Sequence, residues 1–352
     1  MAARGGKPVR VWLVLVAALV FLMVSVGGAT RLTGSGLSIT EWQPIMGVVP
    51  PLSDAAWQEA FDRYRQIPQY QHVNRGMSLG AFKVIYWWEW THRFLGRLIG
   101  AAFLLPFLYF LAMGQIARPL MVKLAGIFAL GGLQGFIGWY MVRSGLVDRV
   151  DVSQYRLALH LSLAVLIFGA LLWVTLSLAP TTPDRVGARP FRLQAEAAVI
   201  AALVFLQIVA GAFVAGLKAG AGYNTWPLME GRLVPQRLGA MSPWWVNLFE
   251  NALTVQFNHR LLAYVIAILA LWHLRSVHQL ARDRWAKNSG AGLAGAVLAQ
   301  VALGIWTLLA HVPLALGLAH QAGAVAVLGL SLWHLHRLRH GSELAGITTR
   351  RL

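Results

Sequence analysis

The chain has 352 residues, 57% of them hydrophobic and only 12% charged, with a mean hydropathy of +0.59. That charged fraction is about half the usual share of a soluble globular domain, so the sequence belongs in a bilayer. The formal net charge of +17 comes from short Lys and Arg clusters between apolar runs, a positive-inside pattern that argues against nucleic-acid binding. The absence of cysteine excludes disulfides, thiolate nucleophiles and iron–sulfur clusters, and leaves any metal to His, Met or carboxylate.

Eight apolar stretches are long enough to cross a bilayer, which takes about 20 residues. The first, from Val11 to Ala29, follows Arg4, Lys7 and Arg10. It resembles a signal peptide, but it has a counterpart later in the chain and is therefore assigned as a span. A long outward connection, Thr30 to Glu89, follows; within it Trp57, Phe61 and Tyr64 recur at i, i+4 and i+7, which predicts an amphipathic helix over Ser53 to Tyr64 lying on the membrane surface. The next spans run from Trp90 to Met113, Leu120 to Val142 and Leu157 to Leu178. A basic linker, 181–192, carries Arg185, Arg189 and Arg192. Four more spans cover Ala195 to Leu217, Leu253 to Leu274, Ala291 to Ala310 and Leu314 to Leu335. The basic segments fall on one side of this arrangement, so both termini are expected to be cytoplasmic.

The two halves repeat one another. Thr40-Glu41-Trp42-Gln43-Pro44-Ile45-Met46-Gly47 matches Asn224-Thr225-Trp226-Pro227-Leu228-Met229-Glu230-Gly231 with one gap. His92-Arg93 matches His259-Arg260, Gln134 with Gly138 matches Gln300 with Gly304, and His160 matches His320. Each half holds an even number of spans, so the halves share one orientation. The expected fold is an all-α membrane protein of eight transmembrane helices in two pseudo-symmetric four-helix bundles. The N-terminal bundle covers residues 1–180, including the outward loop 30–89; the C-terminal bundle covers 193–340, with a tail over 341–352.

One histidine in a span is usually a packing or relay residue, but four in matched positions point to a cofactor. His92 with His160, and His259 with His320, would place two imidazoles in each bundle, where facing helices build cofactor sites. Two axial imidazoles suit a haem iron; zinc would need a third or fourth ligand. Gly96, Gly100, Gly131, Gly132, Gly135, Gly138, Gly304 and Gly323 are compatible with a flat macrocycle and equally with ordinary helix packing. Arg93 and Arg260 stand where propionates would emerge, or where snorkelling to lipid phosphate would serve equally well. His273, His278, His334, His336 and His340 lack matched partners and read as interfacial. His72 and His311, near outer ends, have no assigned role.

The halves differ at one charged position. Glu89 stands three residues before His92, on the same helix face, where Gln256 stands before His259. A carboxylate at the edge of an apolar bundle is costly unless it has a role, although a salt bridge to Arg93 or Arg97 would also explain it. The asymmetry suggests that the first bundle does chemistry and the second carries electrons.

Glu89-Trp90-Thr91-His92-Arg93, the Gly34-Ser35-Gly36-Leu37-Ser38 turn leading to Trp42 and Pro44, Gly222-Tyr223-Asn224-Thr225-Trp226-Pro227 and Asn258-His259-Arg260 together resemble the haem A synthase family, from about Val11 to Leu335. The resemblance implies haem b ligated by His259 and His320, substrate haem O near His92 and His160, and Glu89 as the essential acid. It implies stepwise oxidation of a ring methyl of haem O, through an alcohol and a hydrated aldehyde, to the formyl group of haem A. It further implies haem O delivered by a haem O synthase, a separate electron donor or acceptor, and a bacterial inner membrane with surrounding lipid; a homo-oligomer is compatible with it. Some members carry a cysteine pair in the outward loops, and this chain belongs with the cysteine-free ones. The alternative is a di-haem b-type electron-transfer cytochrome, which needs the same histidines but no catalytic acid. A transporter would want polar residues at mid-span, and here these positions are almost wholly apolar.

Overall fold

The computed structural model describes residues 6–43, 46–146, 150–179, 191–281 and 283–348. Of the residues singled out above, Arg4, Pro44, Ile45, Arg185 and Arg189 lie outside these, as do positions 181–190 of the linker and 349–352 of the tail. The described chain is all-helical apart from loops and one isolated bridge. Its elements are α1 (Gly6–Leu32), α2 (Asp54–Tyr64), α3 (Pro68–His72), α4 (Leu79–Ala112), α5 (Arg118–Gly145), α6 (Gln154–Ser177), α7 (Phe191–Gly216), α8 (Ala219–Gly222), α9 (Ala252–Leu280), α10 (Arg284–Leu309) and α11 (Leu314–Thr348). Eight of them, α1, α4, α5, α6, α7, α9, α10 and α11, are long and apolar enough to cross a membrane. In lipid the helix satisfies every backbone N–H and C=O internally. Start signals are explicit: the side chains of Ser53, Ser78, Asn251 and Asp283 each accept a backbone N–H of the first turn, and Pro119 opens α5, where its missing N–H costs nothing.

Two helices run well past their expected spans: α11 continues beyond Leu335 to Thr348, and α4 begins early. It starts at Leu79 rather than Trp90, so its 34 residues extend about 51 Å, against a hydrocarbon core of about 30 Å. The extra turns are held by aromatic packing outside the apolar run. Phe61 stacks on Phe82 at 5.0 Å between ring centroids, and Trp57 meets Tyr86 edge-on at 4.9 Å. Trp57, Phe61 and Tyr64 are therefore buried against α4, which corrects the expectation that this stripe lies on lipid. The helix forms as predicted, but its apolar face is covered by protein. Tyr64 Oη also donates to Gln69 Oε1 at 3.0 Å, and Gln69 Nε2 donates to Gly34 O at 3.0 Å, pinning the loop that leaves α1.

The described residues form two compact units, one within 15–167 and one within 6–14 and 168–348. In the second, α7 packs on α9 and α11, and α10 packs on the same two helices. The result is a closed ring of four helices around Leu193, Ala197, Val277, Ala286, Leu335 and Leu338. In the first, α4 packs on α5, and Thr30 Oγ1 of α1 donates to the carbonyl of Trp88 at 3.4 Å.

Candidate functional site

Each unit holds one histidine pair, and the two pairs have the same separation. The ring centroids of His92 on α4 and His160 on α6 are 6.5 Å apart, and those of His259 on α9 and His320 on α11 are also 6.5 Å apart. Metal–imidazole bonds of about 2 Å on either side of one ion, with the ring half-widths added, place two facing imidazole centroids roughly 6–6.5 Å apart. Neither pair has a carboxylate or third imidazole to complete a zinc-like set; among the described residues no group of three or more His, Cys, Asp or Glu converges. Both sites therefore suit a planar macrocycle that supplies its own equatorial donors.

Each imidazole packs on a glycine of a neighbouring helix. A Cβ on Gly27, Gly138, Gly211 or Gly304 would lie 3.1, 3.1, 3.2 or 2.7 Å from the ring of His92, His160, His259 or His320 respectively. Any larger residue there would displace the ring. Gly100, Gly131, Gly132 and Gly135 face nothing within 4 Å.

Glu89 is 2% exposed. Its Oε2 accepts from Ser38 Oγ and from the backbone N–H of Ile39, both at 2.8 Å, and its Oε1 pairs with Arg93 Nη2 at 2.6 Å. The carboxylate is thus bonded at one oxygen to the loop that follows α1 and at the other to Arg93 of its own helix. Arg93 also donates to the carbonyls of Ile39 and Glu41, both at 2.8 Å. The C-terminal unit repeats this clamp with an amide. Arg260 donates to the carbonyls of Tyr223 and Thr225 at 2.9 and 2.8 Å and to Gln256 Oε1 at 3.0 Å, while Gln256 Nε2 donates to Ala219 O at 3.1 Å. Arg93 and Arg260 are accordingly loop clamps, a use that neither propionate pairing nor snorkelling anticipated. Loop carbonyls exposed beside the helix accept a guanidinium fork readily.

The match to known proteins covers this whole arrangement. The model of the cytochrome oxidase assembly protein family matches residues 10–332. The chain belongs to that family. Similar proteins include a haem A synthase of Parvibaculum lavamentivorans, 57% identical over 327 residues, 93% of each chain. Another, from Azorhizobium caulinodans, is 55% identical over 336 residues, 95% of each chain. A third, from Rhodospirillum centenum, is 53% identical over 338 residues, covering 96% of this chain and 90% of its own.

Two features of this family member were not legible to motif reading. Gln207, unmarked in the sequence, stands over His259 with Nε2 at 3.1 Å from Nδ1 and 3.0 Å from the histidine carbonyl, as Gln134 and Gln300 do for His160 and His320. Its signal was the recurrence of Gln four residues before Gly at 134/138, 207/211 and 300/304. His273 and His334, expected at an interface, are instead 1% and 0% exposed. Their Nε2 atoms share a hydrogen at 2.9 Å; His273 Nδ1 meets Glu196 Oε2 at 2.9 Å, and His334 Nδ1 meets Ser289 Oγ at 2.7 Å. This chain crosses all four helices of the C-terminal ring, because a polar group in lipid must find its partner inside the bundle. His336 is likewise buried, beside Ser177 and Trp173. His278, His72 and His311 are exposed and join neither pair.

His334→Ala should orphan His273 Nε2 at about 1–3 kcal/mol. Thermal unfolding of the purified protein should show a lower midpoint. An unchanged midpoint would mean that the network contributes nothing to holding the four helices together.

Proposed function

We propose that this chain is a haem A synthase of a bacterial inner membrane, oxidising a ring methyl of haem O through an alcohol and a hydrated aldehyde to the formyl group of haem A. The observation that carries the proposal is the pair of equal 6.5 Å imidazole separations, one per unit, in a chain that is 57% identical to a haem A synthase. His259 and His320 would hold haem b, an electron carrier when bound. His92 and His160 would hold haem O, supplied by a haem O synthase. The residues present fit such groups on a second count: among the described residues no third His, Cys, Asp or Glu converges on either pair, as expected of two axial imidazoles to a metal whose other ligands come from a macrocycle.

Within the protein, the histidines orient the macrocycles, and the glycines beside them hold the rings in register. Glu89 is the acid of the site: its carboxylate, buried and already charge-paired, accepts protons or stabilises positive charge at the carbon being oxidised. The basic segments set both termini on the cytoplasmic side. The electron-carrier alternative draws on one observation, that both oxygens of Glu89 are bonded, one to the loop and one to Arg93, so that it has a structural use in any case.

The test is conversion. Purified protein given haem O and an electron acceptor should yield haem A and its alcohol intermediate, separated by mass after pigment extraction. Protein that carries only haem b and leaves haem O unchanged under all acceptors would return the electron carrier to first place.

A further inference from the structure

Three of the four imidazoles share one support and the fourth lacks it. Gln134, Gln207 and Gln300 each stand four residues before the glycine on which their histidine packs. Each places its Nε2 3.0–3.2 Å from Nδ1, for Gln134 and Gln207 also 3.3 and 3.2 Å from the ring Nε2, and donates Nε2–H to the same histidine's carbonyl, at 3.1, 3.0 and 2.7 Å. Gly323 leaves the space for the Gln300 amide, which a Cβ there would strike. In α1 the corresponding residue, four before Gly27, is Met23, whose Cε packs beside Gly96. A thioether donates no hydrogen bond, and among the described residues none reaches the His92 ring.

The ring records the difference. A Cβ on Gly138, Gly211 or Gly304 would meet Cε1 of its histidine first and Nδ1 next, whereas one on Gly27 would meet Nε2 at 3.1 Å and Cδ2 at 3.4 Å. Those atom pairs exchange when an imidazole makes a half-turn about χ2, a torsion whose wells are broad and roughly two-fold. Where the amide N–H stands against the ring nitrogens, the half-turn would set it against Cδ2 and Cε1 instead, so one of the two orientations is selected. Beside Met23 nothing selects it, and His92 is turned over.

We propose that Met23 makes His92 the releasable imidazole of the N-terminal site, so that this site opens on its His92 side to a small neutral ligand of haem iron, while Gln134, Gln207 and Gln300 lock the other three. The inference rests on the proposed reading of the two pairs as haem sites. It deepens that reading by assigning the open side and the residues that set it. Partners that orient a metal-bound imidazole are worth about 10–100-fold in affinity. A site that takes in one macrocycle and releases its oxidised product needs one ligand that lets go, and an electron carrier does not.

Carbon monoxide, which binds ferrous haem only at a free axial position, reads this directly in full-length protein in detergent. Reduced wild-type protein should form a carbonyl at one of its two haems. Met23→Gln should weaken carbon monoxide binding at least tenfold with haem content unchanged, and Gln207→Met should create carbon monoxide binding at the second haem. Unchanged affinity in haem-replete Met23→Gln protein, or a Gln207→Met protein still inert at the second haem, would overturn the inference. The underlying reading is tested separately by pigment extraction from the His259→Ala, His320→Ala double variant. Haem retained there supports an N-terminal site, whereas protein folded but free of haem would overturn both.

Discussion

Glu89→Gln is expected to abolish most conversion of haem O to haem A, by about 10²–10⁴-fold, the usual cost of losing an acid–base group, while the folded protein keeps haem b. The fold should survive because Gln256 occupies the corresponding place in the C-terminal unit, bonded to Arg260 on one side and Ala219 on the other. The substitution is not free. The carboxylate accepts at both oxygens, from Arg93 on one and from Ser38 and Ile39 on the other; an amide presents a donor at one end and leaves a donor there unmet, at about 1–3 kcal/mol. A lower unfolding midpoint should therefore accompany the lost activity. Ser38→Ala separates the two effects, removing one of these bonds and keeping the acid, and it should retain conversion. Near-normal haem A yield per mole of folded Glu89→Gln protein would reduce Glu89 to a loop anchor.

The second large effect concerns the C-terminal pair. Replacing both His259 and His320 with Ala should remove the low-spin bis-imidazole spectrum of haem b and, with it, turnover. The side chains project between helices already closed into a ring by α7, α9, α10 and α11, so the helices should still pack. Reduced-minus-oxidised spectra and the haem-to-protein ratio decide it, and a folded double variant with its full haem b complement would refute the assignment.

The eight spans and the four paired histidines were legible because both signals are periodic: apolar length reports crossings, and a repeat reports matched depth. What was missed depended on contacts that cross that periodicity. The start of α4 at Leu79 is set by Ser78 and by Phe82 and Tyr86 packing on α2, so a hydropathy window finds only the apolar run from Trp90. Gln207 escaped because the halves were matched span by span from Gln134 to Gln300, and the odd span opposite it carries Met23. His273 and His334 were set aside for want of counterparts in the other half. The useful spacing lay along their own helices: each stands 14 positions after a site histidine, His259 or His320, close to a whole number of turns and hence on the same face. Arg93 and Arg260 were read as facing propionates or lipid, and the carbonyls they bind, in loops folding back over the helix, leave no trace in a linear pattern.

The two clamps differ in charge. Arg93 is neutralised by Glu89 at 2.6 Å, whereas Arg260 faces the uncharged Gln256, so the pair next to His259 carries one more positive charge than the pair next to His92. A unit charge about 10 Å away, at an effective dielectric constant of about 20, amounts to roughly 1.7 kcal/mol. On the proposed reading of the two pairs as haem sites, that difference would raise the reduction potential of a haem at the C-terminal pair relative to one at the N-terminal pair. One amide in place of one acid would then let electrons withdrawn from a substrate held beside His92, as proposed, run downhill toward a haem held by His259.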